Sequence, residues 1–169
     1  YNYSLQDGLD YTSSLISDGT LNISQNSTLA TPDLQIGSDR ATDGTVNVSD
    51  SILNIGNRIV ISESWHEDWE GSTVEQGGSG TLSAISSTIN MESDGSRHWY
   101  PELVVGRGDL ATATATFSSS ELNGLRGFSV GADSTSSETR ELGARGTLSL
   151  VDSTITYLSS SNPSGAAGY

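Results

Sequence analysis

The residues best suited to chemistry sit in two stretches, ESWHEDWEGSTVEQGG from Glu63 to Gly78 and ESDGSRHWYPE from Glu92 to Glu102. Together they hold all three tryptophans (Trp65, Trp69 and Trp99), both histidines (His66 and His98) and Tyr100. An aromatic ring stacks on the apolar face of a pyranose while a neighbouring carboxylate accepts its hydroxyls. Trp65, His66, Trp69, Trp99 and Tyr100 are therefore candidate carbohydrate-binding residues. The competing use of such rings is structural, because aromatics are also enriched at subunit contacts and can pin a long loop against the body of a protein.

Metal and acid–base chemistry find less to work with. His66-Glu67 has no second histidine four residues on, which a helical zinc site requires. Asp39, Asp43, Asp68, Glu70 and Asp133 have the oxygen chemistry of calcium ligands but form no dense Asp/Asn ladder. Glycoside cleavage needs two carboxyls about 5–9.5 Å apart, whereas the acidic residues at matching repeat positions, Asp50 and Asp152, would lie ~14 Å apart in stacked strands. Only loop acids such as Glu67, Glu70 and Asp94 are left for that role. No metal site, cofactor or catalytic residue is expected, and the chain is not read as an enzyme. Arg107-Gly108-Asp109 matches an integrin-binding tripeptide, but Gly and Asp are ordinary turn residues. Asn2, Asn22, Asn26 and Asn47 stand in glycosylation sequons, which a chain rich in Asn, Ser and Thr makes freely.

The elements that must position these loops are written in a repeat. Thr20, Thr45, Thr81, Thr114 and Thr147 each open a phrase with apolar residues at its second and fourth places, as in TLNIS, TVNVS and TLSLV. Six or seven residues on stands Ser27, Ser51, Ser87, Ser120 or Ser153, and within two more residues Leu29, Leu53, Ile89, Leu122 or Ile155. A third run, LQIG, IVIS, LVVG or FSVG, closes the first four copies. From Thr to the end of that run is 17 residues in copies one, two and four (20 to 37, 45 to 62, 114 to 131). Strict alternation marks strands with one buried face. A unit of ~25 residues with three short strands marks a stacked repeat.

The fold expected is all-β, a parallel, right-handed β-helix or solenoid of about five coils with three short strands each and long loop insertions. The whole chain, 1–169, forms one domain, with 1–19 as an N-terminal segment or cap, 20–160 as coils and 161–169 as a Gly/Ser/Ala tail. Interior columns are expected at Leu21, Val46, Leu82, Ala115 and Leu148, at Ile23, Val48, Ala84, Phe117 and Leu150, and at Ile36, Ile61, Val105 and Val130. Val60 is placed on the outer face.

Composition narrows the partners. Seven Lys and Arg against 21 Asp and Glu leave a net charge of −14, which disfavours nucleic acids and anionic lipid. No stretch approaches 18 apolar residues, so no membrane insertion is expected. There is no cysteine. A chain that opens on Tyr1 rather than Met fits a processed secreted protein or a piece of a longer one.

The phrases GTLNIS, LQIGSDRATDGTVNVSDSILNIGNRIVIS and GGSGTLSAISSTIN resemble the repeat of bacterial autotransporter passenger domains and PEP-CTERM surface proteins. The resemblance runs from Gly19 to Thr156 and is strongest from Gly19 to Ser62. It implies a secreted or surface-exposed β-solenoid, used as a stalk or adhesive array, and it transfers no active-site residue. The two Trp-bearing insertions depart from the pattern.

The expected function is thus that of an extracellular structural module of a surface fibre, stalk or adhesin, which associates with other copies of itself head to tail. The alternative is a carbohydrate-binding or carbohydrate-cleaving surface protein of the same fold, with glycans as partners. The fifth copy lacks its third strand, which leaves Leu148, Leu150 and Ile155 for a contact. At the other end Tyr1, Tyr3, Leu5, Tyr11 and Leu15 offer apolar area to a neighbour.

Overall fold

The computed structural model describes residues 14–16, 18–38, 42–63, 78–92, 101–108, 110–132 and 143–158. These contain only strands, turns and irregular segments: β1 (Ser14–Ile16), β2 (Gly19–Ile23), β3 (Thr28–Ile36), β4 (Asp43–Ser49), β5 (Ile52–Glu63), β6 (Ser79–Ile85), β7 (Thr88–Met91), β8 (Glu102–Arg107), β9 (Thr112–Ser118), β10 (Glu121–Leu125), β11 (Gly127–Ala132), β12 (Arg145–Val151) and β13 (Thr154–Tyr157). Among them no helix is long and apolar enough to cross a membrane.

Every strand pairing is parallel. One sheet runs β2-β4-β6-β9-β12. The other has eight strands, and because β3 and β5 are long it divides into two rows. Their first halves continue through β7 and β10 to β13, while their second halves lie between β1 on one side and β8 and β11 on the other. Among the described residues each of the three rows therefore holds five strands.

The register follows the repeat. Thr20, Thr45, Thr81, Thr114 and Thr147 are successive partners across the five-stranded sheet. Parallel pairing sets each residue beside its counterpart, so apolar positions fall into columns. Val46, Leu82 and Ala115 are fully buried in one. Beside it, Val48, Ala84 and Phe117 are at most 1% exposed, with the smallest side chain next to the largest. Ile36, Ile61 and Val105 make the third. Each such Val, Leu or Ile contributes about 1.5–3 kcal/mol when buried.

Val60 departs from the sequence reading. It alternates with Ile59 and Ile61, which join the core cluster, yet it is itself 0% exposed, as is its partner Val104. The sheet is covered on both faces there, as parallel sheets commonly are. Alternation assigns a side chain to a face but does not say whether that face meets water.

The turns between strands use a recurring device. Asn26, Asp50, Ser86, Ser119 and Asp152 all have φ between 48° and 59°, each immediately before the serine that opens the next strand. A left-handed conformation at a non-glycine residue costs about 1–2 kcal/mol, and short polar side chains tolerate it best. In the first copy Gln25 is left-handed as well, at 64°, so that turn is one residue longer. The second copy recovers the count elsewhere. Gly56 and Asn57 together oppose Pro32, a bulge between the pairs Thr31–Ile55 and Asp33–Arg58. Both copies thus reach 17 residues by different routes.

Glycine precedes the Thr of four phrases, and at Gly44, Gly80 and Gly146 the chain passes close behind it, whereas Gly19 has open space there. A Cβ at Gly44 would lie 2.2 Å from the Ile16 carbonyl oxygen, and one at Gly146 would lie 2.1 Å from that of Val105. Ala113 occupies the same column between Gly80 and Gly146, and nothing in the described residues explains why it is accommodated.

Candidate functional site

Polar side chains along the rows pair mainly with their counterparts on the next strand. Ser51, Ser87 and Ser120 are 3–4% exposed. The Ser51 amide donates to Ser87 Oγ at 3.3 Å, that of Ser87 to Ser120 Oγ at 3.2 Å, and that of Ser120 to Ser153 Oγ at 3.1 Å. Each hydroxyl in turn donates to the carbonyl two residues back, as Ser87 does to Ile85 at 2.7 Å. On the outer face Asn47 donates to Asn22 at 2.9 Å, Asn90 to Asn54 at 3.0 Å and Asn123 to Asn90 at 3.3 Å. Thr156 extends the last ladder by donating to Asn123 at 2.9 Å. Such stacked pairs fix register.

A groove of about 380 Å³ runs beside this ladder, between Pro32, Asn54, Gly56, Asn90 and Glu92. Two of its polar side chains, Asn54 and Asn90, are engaged with each other. Among the described residues no group of three or more His, Asp or Glu gathers to hold a metal ion. The backbone N–H of Asp43, considered above as a calcium ligand, donates to Asp18 Oδ1 at 2.9 Å; Asp39, Asp68, Glu70 and Asp133 lie outside the described residues.

The Arg-Gly-Asp tripeptide has its arginine committed. Arg107 Nη1 sits 3.2 Å from Glu63 Oε1, and Nη2 sits 2.7 Å from Glu102 Oε1 and 3.1 Å from Ser129 Oγ. Glu63 is 5% exposed, so the arginine compensates a buried carboxylate. Spacing alone gave no sign of this cluster, because Glu102 lies five residues from Arg107 on β8 while Glu63, 44 residues away, joins them only through the pairing of β5 with β8.

The ends of the rows differ from their middles. Leu103, Val105 and Leu125 are 0% exposed and Phe117 1%, whereas their partners on the last strand of each row, Phe128, Val130, Tyr157 and Leu150, are 49%, 37%, 53% and 45% exposed. These residues continue core columns with no further described strand beyond them. Val151 and Leu158 add 50% and 42% exposure nearby. Leu148 and Ile155 are half-buried against the core. At the opposite end Leu21, Leu29 and Ile16 are half-buried too.

The sequence reading assigned Leu15 to a contact between copies. In the structure Leu15 belongs to β1, which pairs by one edge with β3 of its own chain; the other edge has no described partner. Tyr1, Tyr3, Leu5 and Tyr11, and the aromatic group Trp65, His66, Trp69, Trp99 and Tyr100 with His98, lie outside the described residues. Comparison of the chain with family models, curated proteins and solved structures yields no match.

Proposed function

We propose that the three rows are the faces of a right-handed β-solenoid of about five coils, and that the chain is a structural module of an extracellular fibre, stalk or adhesin whose copies stack end to end. The observation that carries this reading is the exposure of Phe128, Val130, Leu150 and Tyr157 in columns that are dry one strand earlier. Exposed ends of a repeat stack present unpaired backbone groups together with apolar side chains, a combination that favours pairing with another strand edge. Contact between two different surfaces is heterologous and yields open filaments unless the rotation closes a ring. The likeness of its phrases to autotransporter passenger and PEP-CTERM repeats favours a secreted or cell-surface location.

Sedimentation velocity over a concentration series tests the reading. The full chain is expected to form a ladder of species that grows with concentration, and Leu150→Lys, which sets a charge on the exposed end of a core column, is expected to shift it towards monomer. A chain that stays monomeric throughout contradicts end-to-end assembly.

A further inference from the structure

Among the described residues the three rows each hold five strands, but they do not start and stop together. The row that begins with β1 ends with β11, whereas the rows that begin with β2 and with the first half of β3 end with β12 and β13. One row is displaced by a rung relative to the other two. Among the described residues the protruding strand at one end, β1, thus belongs to the same row as the missing rung at the other end, beyond β11.

We infer that two copies join through a shared turn in one fixed register, with β1 of one copy lying along β11 of the copy before it, β2 along β12 and the first half of β3 along β13. The inference rests on the end-to-end reading above and specifies its contact. Continuing the columns by one rung sets Ile16 on Val130, Leu21 on Leu148, Ile23 on Leu150 and Leu29 on Ile155, apolar on apolar at these four inward positions, while Ser14 falls on Phe128.

Charge supports the same register. Asp43, Ser79, Thr112 and Arg145 form one column. Asp18 precedes Gly19, the partner of Gly44, and its carboxylate already reaches the Asp43 amide at 2.9 Å, so it occupies the rung before Asp43. The column therefore carries an exposed carboxylate at one end and an exposed guanidinium, Arg145, at the other. A second copy in register sets Asp18 directly on Arg145, and opposite charges in adjacent strands attract while like charges repel. In a chain of net charge −14, a cation at this end position is the feature an acidic partner end would select.

Because the chain has no cysteine, introduced ones report the contact cleanly. Asn22 and Ser149 stand in one column, four strand spacings apart within a copy, roughly 19 Å and beyond disulfide reach. Across the proposed joint they are neighbours. Chains carrying Asn22→Cys and Ser149→Cys, one bearing a mass tag, are mixed under mild oxidation, with Thr20→Cys replacing Asn22→Cys as the off-register control. Mixed dimers are expected from the first pair and few from the second. Arg145→Asp is expected to weaken association roughly three- to tenfold, and adding Asp18→Arg to it to restore association. Association by sedimentation without selective cross-linking, or with no response to charge reversal, overturns the register while leaving end-to-end stacking in place. A chain that does not associate overturns both.

Discussion

Asn57 is the residue at which local economy fails. It is 1% exposed, and neither Nδ2 nor Oδ1 has a hydrogen-bond partner. A buried amide without partners costs about 1–3 kcal/mol, so Asn57→Leu is expected to raise the melting temperature, and a lowered one would show that the amide is needed at the bulge. Val60 supplies the opposite case. Burial of an unpaired carboxylate there should cost several kcal/mol, so Val60→Asp is expected to destabilise as strongly as Ile61→Asp in thermal melting. A mild effect would mean that the outer face at Val60 is open to water. Neither residue announced itself in the sequence. Val60 reads as the outward member of an alternating run, and Asn57 falls between the runs that the repeat marks. Both depend on what lies against them, which spacing along the chain does not encode.

At the scale of elements the sequence carried most of the fold. The five Thr phrases align strand on strand without a slip, and the counts of 17 residues survive because an extra turn residue at Gln25 in one copy is matched by the Gly56-Asn57 bulge in the next. What was not legible is β1, three residues long and preceding the first phrase; a strand that short has too few alternations to stand out. The Glu63–Arg107–Glu102 cluster was equally hidden, since Glu63 joins the two β8 residues only once β5 and β8 pair. The aromatic group that the sequence singles out falls outside the described residues, so the candidate site drawn from the structure is a different one, built from row ends. The glycine before Thr45, Thr81 and Thr147 was visible as a letter but not as a constraint. Its role makes a paired test: Gly146→Ala drives a methyl into the Val105 carbonyl and the Gly131 amide, and is expected to cost about 1–3 kcal/mol, a fall of several degrees in melting temperature for a chain of this size. Gly127→Ala meets nothing within 4 Å and is expected to be close to neutral. Equal effects would contradict the close approach of the chain behind the Thr phrases.

For the whole molecule, two opposing terms would govern the proposed assembly. Apolar ends favour stacking, while a net charge of −14 per copy opposes it over the Debye length, about 10 Å at 0.1 M salt. Association is therefore expected to strengthen as salt rises, although the Asp18–Arg145 contact alone would weaken; assembly that falls with salt would mean that ion pairing rather than apolar stacking dominates. The rows also set a length. Five described strands per row at ~4.8 Å each would give the proposed stack a rise of roughly 24 Å per copy. Electron microscopy of the full chain, concentrated at high salt, tests this most directly. The account expects unbranched particles of constant width whose axial repeat is about 24 Å, with strands perpendicular to the long axis. Compact particles of uniform size at every concentration, or filaments with an unrelated repeat, would contradict it.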